Sequence, residues 1–161
     1  MVSAFRYLGV LGLAFWLGGV AFYGGLVIPK AHEILSSHRD IGFVTREVTS
    51  TANVLGAIVL GLLFLHGAVA WTSLGKGARI ALAASWVVML AALAVLFLLH
   101  AHLDTMLDPA ALQILDRPRF MPLHERYLNV TSLQTLAGLV HLWAMLRGPR
   151  PGVNPPPPAA R

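Results

Sequence analysis

Histidines are the residues of this chain with the widest chemical range. The sequence has seven of them and no cysteine, which excludes disulfides, thiolate metal sites, iron–sulfur clusters and covalently attached haem. Two of them, His66 and His141, lie within long apolar runs. Because two neutral imidazoles on facing helices can serve as the axial ligands of a b-type haem, this pair is a candidate haem site. Interhelical hydrogen bonding is the alternative interpretation.

A second group of ligand-type side chains lies near the ends of the apolar runs. His100 and Asp104 are four residues apart and share one face of a helix, and His124 precedes the last apolar run. Imidazole and carboxylate groups suit Cu(II), Zn and related ions. His100, Asp104 and His124 are therefore a candidate metal site, and an ordinary solvated surface is the alternative.

A polar stripe is predicted along the last helix. At 100° per residue, six positions fall within an arc of about 120°: His124, Tyr127, Thr131, Thr135, Gly138 and His141, with Gln134 near the edge. Polar groups that face lipid lose hydrogen bonds, so the stripe is expected to face the other helices. It serves either interhelical contacts or a polar cavity lined by its first four members, in which a small ligand would bind.

Four apolar runs must position these residues. Hydrophobic residues make up 57% of the chain and charged residues only 12%, whereas soluble domains carry about 25% charged residues. Membrane spans are predicted at about residues 7–29, 50–73, 80–100 and 127–146, each close to the roughly 20 residues that a crossing helix needs. The predicted fold is an all-α, four-helix transmembrane bundle over residues 1–147. Residues 148–161 form a Pro-rich tail that is expected to be extended.

The distribution of charge predicts the orientation of the bundle. Basic residues without any acid flank one set of helix ends (Arg6, Lys76, Arg79 and Arg147), and all seven acids lie in the two longer loops at the other end. Short basic segments are retained in the cytoplasm, so both termini are expected on the cytoplasmic side of a bacterial inner membrane. The net charge of +5 therefore reflects topology and does not indicate nucleic-acid binding.

Prolines and glycines predict local features of the helices. Asp108 and Pro109 are typical of an N-cap and a first helical residue, and the last helix is predicted to begin at Pro122. Six glycines in the first helix favour close helix packing. Trp16 and Trp86 lie too deep to be interfacial anchors and are expected to pack between helices.

Enzymatic activity is not supported by any motif in the sequence. There is no nucleophile elbow, phosphate-binding loop or His-Glu-x-x-His run, and no acid within the four predicted spans, which argues against a carboxylate-driven pump. The expected function is that of an accessory or structural subunit, or of a small-ligand binder. The alternative is a histidine-based haem b or copper protein in redox chemistry or metal handling. The expected partners are the lipid bilayer and other membrane subunits.

Two segments carry a family resemblance. The segments "FWLGGVAFYGGLVIP" in the first helix and "FMPLHERYLNVTSLQTLAGLVHLW" leading into the last resemble small four-helix membrane proteins with a domain of unknown function, akin to the transmembrane protein 205 group. The matching positions are Trp16, Gly18, Gly19, Phe22 and Pro29, then Leu123 and His124. The opening is also similar to the copper-resistance D membrane family, and more remotely to the small membrane oxidase of the haem pathway. Unlike the copper family, this chain has no histidine in its first helix.

Overall fold

Helices form nearly all of the described chain. The computed structural model describes residues 2–35 and 38–147, so the predicted Pro-rich tail at 148–161 lies outside the described residues. In chain order the elements are α1 (Val2–Phe22), a π-helical segment (Tyr23–Val27), α2 (Ile28–Ile34), α3 (His38–Ala70), a 3₁₀ turn (Trp71–Ser73), α4 (Lys76–Asp104), strands β1 (Leu107–Asp108) and β2 (Gln113–Ile114), and α5 (Arg117–Arg147). The predicted all-α class is confirmed.

Among the described residues, three helical stretches are long and apolar enough to cross a membrane. They are Ala4–Ile34, Ile41–Ser73 and Lys76–Asp104, and they contain the first three predicted spans. Helix α5 has a similar length, but charged residues in its first turns and polar residues on its inner face lower its apolar character. The three stretches fit a membrane-embedded protein, and the crossing of α5 stays a prediction.

The long helices form a closed ring. Helix α1, with its continuation through the π-helical segment and α2, packs beside α3 and α5, and α4 packs beside α3 and α5. Consequently α3 and α5 face each other across the centre. The centre is filled mainly by apolar side chains, and those of Leu13, Leu63, Met89 and Leu96 are almost completely buried. This apolar filling is interrupted by a small number of buried polar side chains.

Two tryptophans tie neighbouring helices together. The Trp16 indole Nε1 donates to the Ala52 carbonyl oxygen at 2.8 Å, and the Trp86 Nε1 donates to the Leu60 carbonyl oxygen at 3.0 Å. The Trp16 ring lies directly over Gly56, where a Cβ atom would be 3.1 Å from Nε1. Both tryptophans are therefore packing residues, as the sequence predicts.

The connection between α4 and α5 differs from the predicted helical turn. The Asp108 carboxylate does accept the backbone N–H groups of Ala110 and Ala111, at 3.0 and 3.1 Å. The chain then reverses at Leu112, whose φ of 50° is left-handed, so that β1 and β2 pair antiparallel. The prediction of a helix start at Asp108 is wrong because this left-handed residue ends the turn before a second turn can form.

Helix α5 begins at Arg117, five residues before the predicted start at Pro122. The Asp116 carboxylate caps the helix by accepting the Arg119 N–H at 3.2 Å. Pro118 lies in the first turn, where its missing N–H costs nothing. Pro122 lies inside the helix and removes one backbone hydrogen bond. The helix still begins upstream of it, because the Asp116 cap stabilises the first turn.

A wide turn interrupts the first long helix. Between Tyr23 and Val27 the helix is π-helical, with the Ile28 N–H bonded to the Tyr23 carbonyl oxygen. The Tyr23 hydroxyl donates to Thr45 Oγ1 on α3 at 3.2 Å. Helix α1 is therefore anchored to α3 at the point where its winding changes.

Candidate functional site: polar layers within the bundle

Three polar side chains of α5 are buried at regular intervals. Tyr127, Gln134 and His141 are 5%, 1% and 3% exposed, and they are spaced seven residues apart. Two helical turns separate each from the next, which corresponds to about 10 Å along the axis. Each side chain therefore meets the other helices at a different depth of the bundle.

The layer around Tyr127 joins three helices. Asn53 Nδ2 on α3 donates to the Tyr127 hydroxyl at 3.0 Å, and this bond is buried. The His100 ring on α4 lies 6.2 Å from the Tyr127 ring. We call these residues the Tyr127 layer. Its hydrogen bond spans the ring of helices from α3 to α5 and fixes their relative register.

An ion pair closes the bundle just outside the Tyr127 layer. Arg46 on α3 donates from Nε to Asp104 Oδ1 at 2.7 Å and from Nη2 to Asp104 Oδ2 at 3.1 Å. The bidentate geometry is the strong form of this interaction. His100 Nε2 lies 3.7 Å from Asp104 Oδ2, so His100 and Asp104 do share a helix face, as expected from their spacing.

Two residues of the predicted metal site, Asp104 and His124, contact other side chains in the structure. Asp104 is already engaged by Arg46, and the His124 ring stacks on Phe120 with centroids 5.7 Å apart. Burial lowers the pKa of His124, so its imidazole is neutral near pH 7. Within residues 2–35 and 38–147 no group of three or more His, Asp or Glu side chains is placed to hold one ion. A site formed by His100, Asp104 and His124 stays a prediction.

The layer around His141 involves all four long helices. His141 Nδ1 lies 2.8 Å from Ser85 Oγ on α4, and His66 on α3 is close enough to His141 to interact with it electrostatically. Arg6 on α1 donates to the Met145 carbonyl oxygen at 2.7 Å and also acts electrostatically on His66. We call His66, Ser85 and His141, with Arg6 beside them, the His141 layer.

Hydrogen bonding favours one arrangement of the protons within this layer. The Ser85 hydroxyl donates to the Ala81 carbonyl oxygen at 2.7 Å, and a hydroxyl has only one proton to give. In that arrangement His141 carries its proton on Nδ1 and donates it to Ser85 Oγ, and its lone pair is on Nε2. His66 is 4% exposed, and its Nδ1 has no hydrogen-bond partner among the described residues.

Gln134 occupies the middle of the bundle between the two layers. Its Nε2 donates a long hydrogen bond of 3.4 Å to the Met89 carbonyl oxygen, and its Oε1 is buried without a partner in the described part of the chain. Buried polar atoms of this kind are commonly satisfied by an ordered water. The centre of α5 is thus polar but only partly bonded.

The predicted polar stripe is only partly the inner face of α5. Gly138 is buried with Tyr127 and His141, whereas Thr131 and Thr135 are half-buried and their hydroxyls donate to carbonyl oxygens of their own helix, at 2.9 and 2.8 Å. The polar cavity at His124, Tyr127, Thr131 and Thr135 stays a prediction.

Sequence reasoning missed several residues that make the interhelical bonds. They are Arg46, Asn53 and Ser85, and Gln134 was placed at the edge of the stripe although it is the most buried of its polar residues. The seven-residue spacing of Tyr127, Gln134 and His141 was the available signal for Gln134.

Comparison with known proteins adds no relative. No protein-family model matches the chain, and no curated protein or solved structure is significantly similar to it. The resemblance to small four-helix membrane proteins stays a prediction.

Proposed function

We propose that the chain is a four-span integral membrane protein that acts as an accessory subunit of a membrane assembly, and that it docks another transmembrane helix on the outward face of α1. The observation that carries this proposal is a pair of adjacent glycines, Gly18 and Gly19, on the exposed face of α1 between two exposed phenylalanines. A Cβ at Gly9, Gly56 or Gly138 would lie 3.0 to 3.2 Å from a side chain of a neighbouring helix. At Gly18 and Gly19 it would meet nothing within 4 Å.

The pairing of α5 with α4 supports a fourth span. Tyr127 lies beside His100, Gln134 beside Met89, and His141 beside Ser85, so the two helices run antiparallel through the full depth of the bundle. If α4 crosses the bilayer, then residues 127–146 cross it as well. The polar residues that lower the apolar character of α5 face inward and are shielded from lipid.

Small residues on the outward face of a membrane helix favour close packing with another helix. In membranes, helices associate largely through close packing, and glycine allows two backbones to approach. In the most apolar 18 residues of the stretch Ala4–Ile34, 17% of the residues are buried, against 33% in the corresponding parts of Ile41–Ser73 and Lys76–Asp104. Phe15 and Phe22 flank Gly18 and Gly19 on this face and are 74% and 60% exposed. Together these four residues form a shallow notch between two aromatic side chains, which we call the α1 notch.

Photo-crosslinking tests the docking of a helix in the α1 notch. A benzoyl-phenylalanine at position 15 or 22 replaces an aromatic residue at an exposed site and leaves the core unchanged. Irradiation of native membranes should give a discrete protein adduct from both positions. The matched controls place the same group at Leu98 on α4 and Leu136 on α5, which are 72% and 61% exposed and should give none.

The size of the adduct distinguishes the possible partners. An adduct of twice the mass of the chain would identify a second copy as the docked helix, and any other discrete mass would identify a different subunit. Lipid adducts alone at positions 15 and 22, or equal protein adducts at all four positions, would refute the proposal.

A second candidate function is the binding of a haem or metal ion by His66 and His141. It is favoured by the His141 layer, in which His66 and His141 are buried imidazoles on facing helices and the His66 Nδ1 has no hydrogen-bond partner among the described residues. Protein purified from haem-replete cells should then show a Soret band that either His66→Ala or His141→Ala abolishes and the exposed His32→Ala retains. A colourless protein without bound copper would reject this function.

A further inference from the structure

A groove opens between the first turns of α4 and the last turns of α5. Its volume is about 390 Å³, within the range of small-ligand sites. The lining residues are Gly75, Gly77, Ala78, Ala81, Trp143, Ala144 and Arg147. Except for Arg147, every one of them is small or apolar. The groove therefore offers an apolar wall with a single cation at its rim.

At the end of the bundle that carries this groove, the charged side chains in the described part of the chain are all basic. Arg6, Lys76, Arg79 and Arg147 lie at this end, and we call it the basic end. All seven Asp and Glu residues of the sequence lie in the segments at the opposite end of the helices. Within residues 2–35 and 38–147, no ion pair joins Lys76, Arg79 or Arg147 to a carboxylate.

The cations nearest the groove are held by carbonyl groups and aromatic rings. The Arg147 guanidinium lies over the Trp143 ring, 4.2 Å from its centroid. Arg79 donates to the carbonyl oxygens of Leu74 and Thr72 at 2.8 and 3.2 Å. Contacts of this kind orient a guanidinium group without neutralising its positive charge. Lys76 is exposed and lies in the chain between Gly75 and Gly77, next to the groove but not among its lining residues.

We propose that this groove binds an anionic phospholipid, whose phosphate lies at Arg147 and Lys76 and whose first acyl carbons lie against Gly77, Ala78 and Ala81. Basic pockets between transmembrane helices recognise anionic head groups through this combination of charge and apolar wall. A soluble anion would use the cations but not the apolar wall. The proposal requires α4 to lie in a bilayer, and it does not require a partner at the α1 notch.

Thermal unfolding of the detergent-solubilised full-length chain tests the lipid site. Dioleoyl-phosphatidylglycerol should raise the Tm in a saturable manner, because a ligand that binds the folded state stabilises it. Dioleoyl-phosphatidylcholine and inorganic phosphate should not. Arg147→Gln should weaken the apparent affinity for phosphatidylglycerol about fivefold, as expected for the loss of one interfacial charge.

A second variant fills the groove without touching its charges. A Cβ at Gly77 meets nothing within 4 Å, so Gly77→Leu should fold normally and abolish the saturable rise in Tm. The matched controls are Gly61→Leu on α3, where a Cβ also meets open space, and Arg119→Gln at the acidic end; both should behave as the wild type. Equal stabilisation by phosphatidylcholine, full stabilisation by inorganic phosphate, or wild-type binding by both Arg147→Gln and Gly77→Leu would overturn the proposal.

Discussion

The contact between Trp16 and Gly56 gives the sharpest test of how α1 and α3 are held together. In Gly56→Ala the new Cβ would lie 3.1 Å from Trp16 Nε1 and 3.3 Å from Cε2, several tenths of an ångström inside ordinary contact distance. The indole cannot retreat freely, because its Nε1–H bonds to the Ala52 carbonyl oxygen at 2.8 Å. The substitution must therefore displace α3 or break this hydrogen bond.

The size of the effect follows from a matched control on the same helix. Gly61→Ala gains the same helix propensity of about 1 kcal/mol, but its Cβ meets nothing within 4 Å. The helix-propensity gain therefore cancels when the unfolding free energies of the two variants are compared. What remains is the cost of overpacking at position 56, about 1–3 kcal/mol. We expect Gly56→Ala to be less stable than Gly61→Ala by that amount, with up to about 1 kcal/mol more if the indole bond is lost.

Reversible unfolding in mixed micelles of dodecylmaltoside and sodium dodecyl sulfate, followed by circular dichroism, measures this difference. A double-mutant cycle with Trp16→Phe isolates its cause. Phenylalanine lacks the atoms that crowd the new methyl group, so the penalty of Gly56→Ala should shrink in that background. Equal stability of the two alanine variants, or a penalty that Trp16→Phe leaves unchanged, would refute the packing described for these two helices.

Three further predictions concern the other layers and the orientation. Tyr127→Phe should destabilise the protein by about 1–3 kcal/mol in the same unfolding assay, because it leaves the buried Asn53 amide without its acceptor; Asn53→Leu in that background should recover part of the loss. His124 has a pKa lowered by burial, so protonation favours the unfolded chain and stability should fall as the pH drops below about 6.5. His124→Gln should reduce this slope, and an unchanged slope would show that other groups cause it. A reporter active only in the cytoplasm should give signal when fused at Gly148 and none when fused within residues 108–117; the reverse pattern would invert the orientation.

The sequence is sufficient to predict which segments become long helices. Charged residues delimit the apolar runs. The predicted spans 80–100 and 127–146 lie inside α4 and α5, whereas 7–29 includes the π-helical segment and 50–73 ends in the 3₁₀ turn after α3. The helices extend past these spans, because helix ends outside hydrocarbon depend on caps such as Asp116, which hydropathy does not register. The start predicted at Pro122 is wrong for this reason, since the Asp116 cap six residues upstream outweighs the cost of one proline inside the helix.

The partners across helices were much harder to predict than the helices themselves. A rotation of 100° per residue places Gln134 at the margin of a stripe that begins at His124. The reason is that seven residues of an ideal helix fall about 20° short of two full turns. In the bundle, Tyr127, Gln134 and His141 keep their seven-residue repeat and all face inward. Asn53 and Ser85 are single polar residues in apolar runs, and their role depends on which helix lies opposite, which spacing within one helix does not reveal.

The π-helical segment between Tyr23 and Val27 changes the rotation about the helix axis, so the residues after it point in different directions from those of an uninterrupted helix. Each π-type hydrogen bond closes a loop that is one residue longer than in an α-helix, so the chain after the segment is turned by about 100° relative to an uninterrupted helix. The packing of α1 against its neighbours therefore does not dictate the direction in which the Lys30–Glu33 ion pair points. Loss of one residue within the segment would swing this charged pair about a quarter of a turn around the helix axis, while the contacts of Trp16 stayed in place.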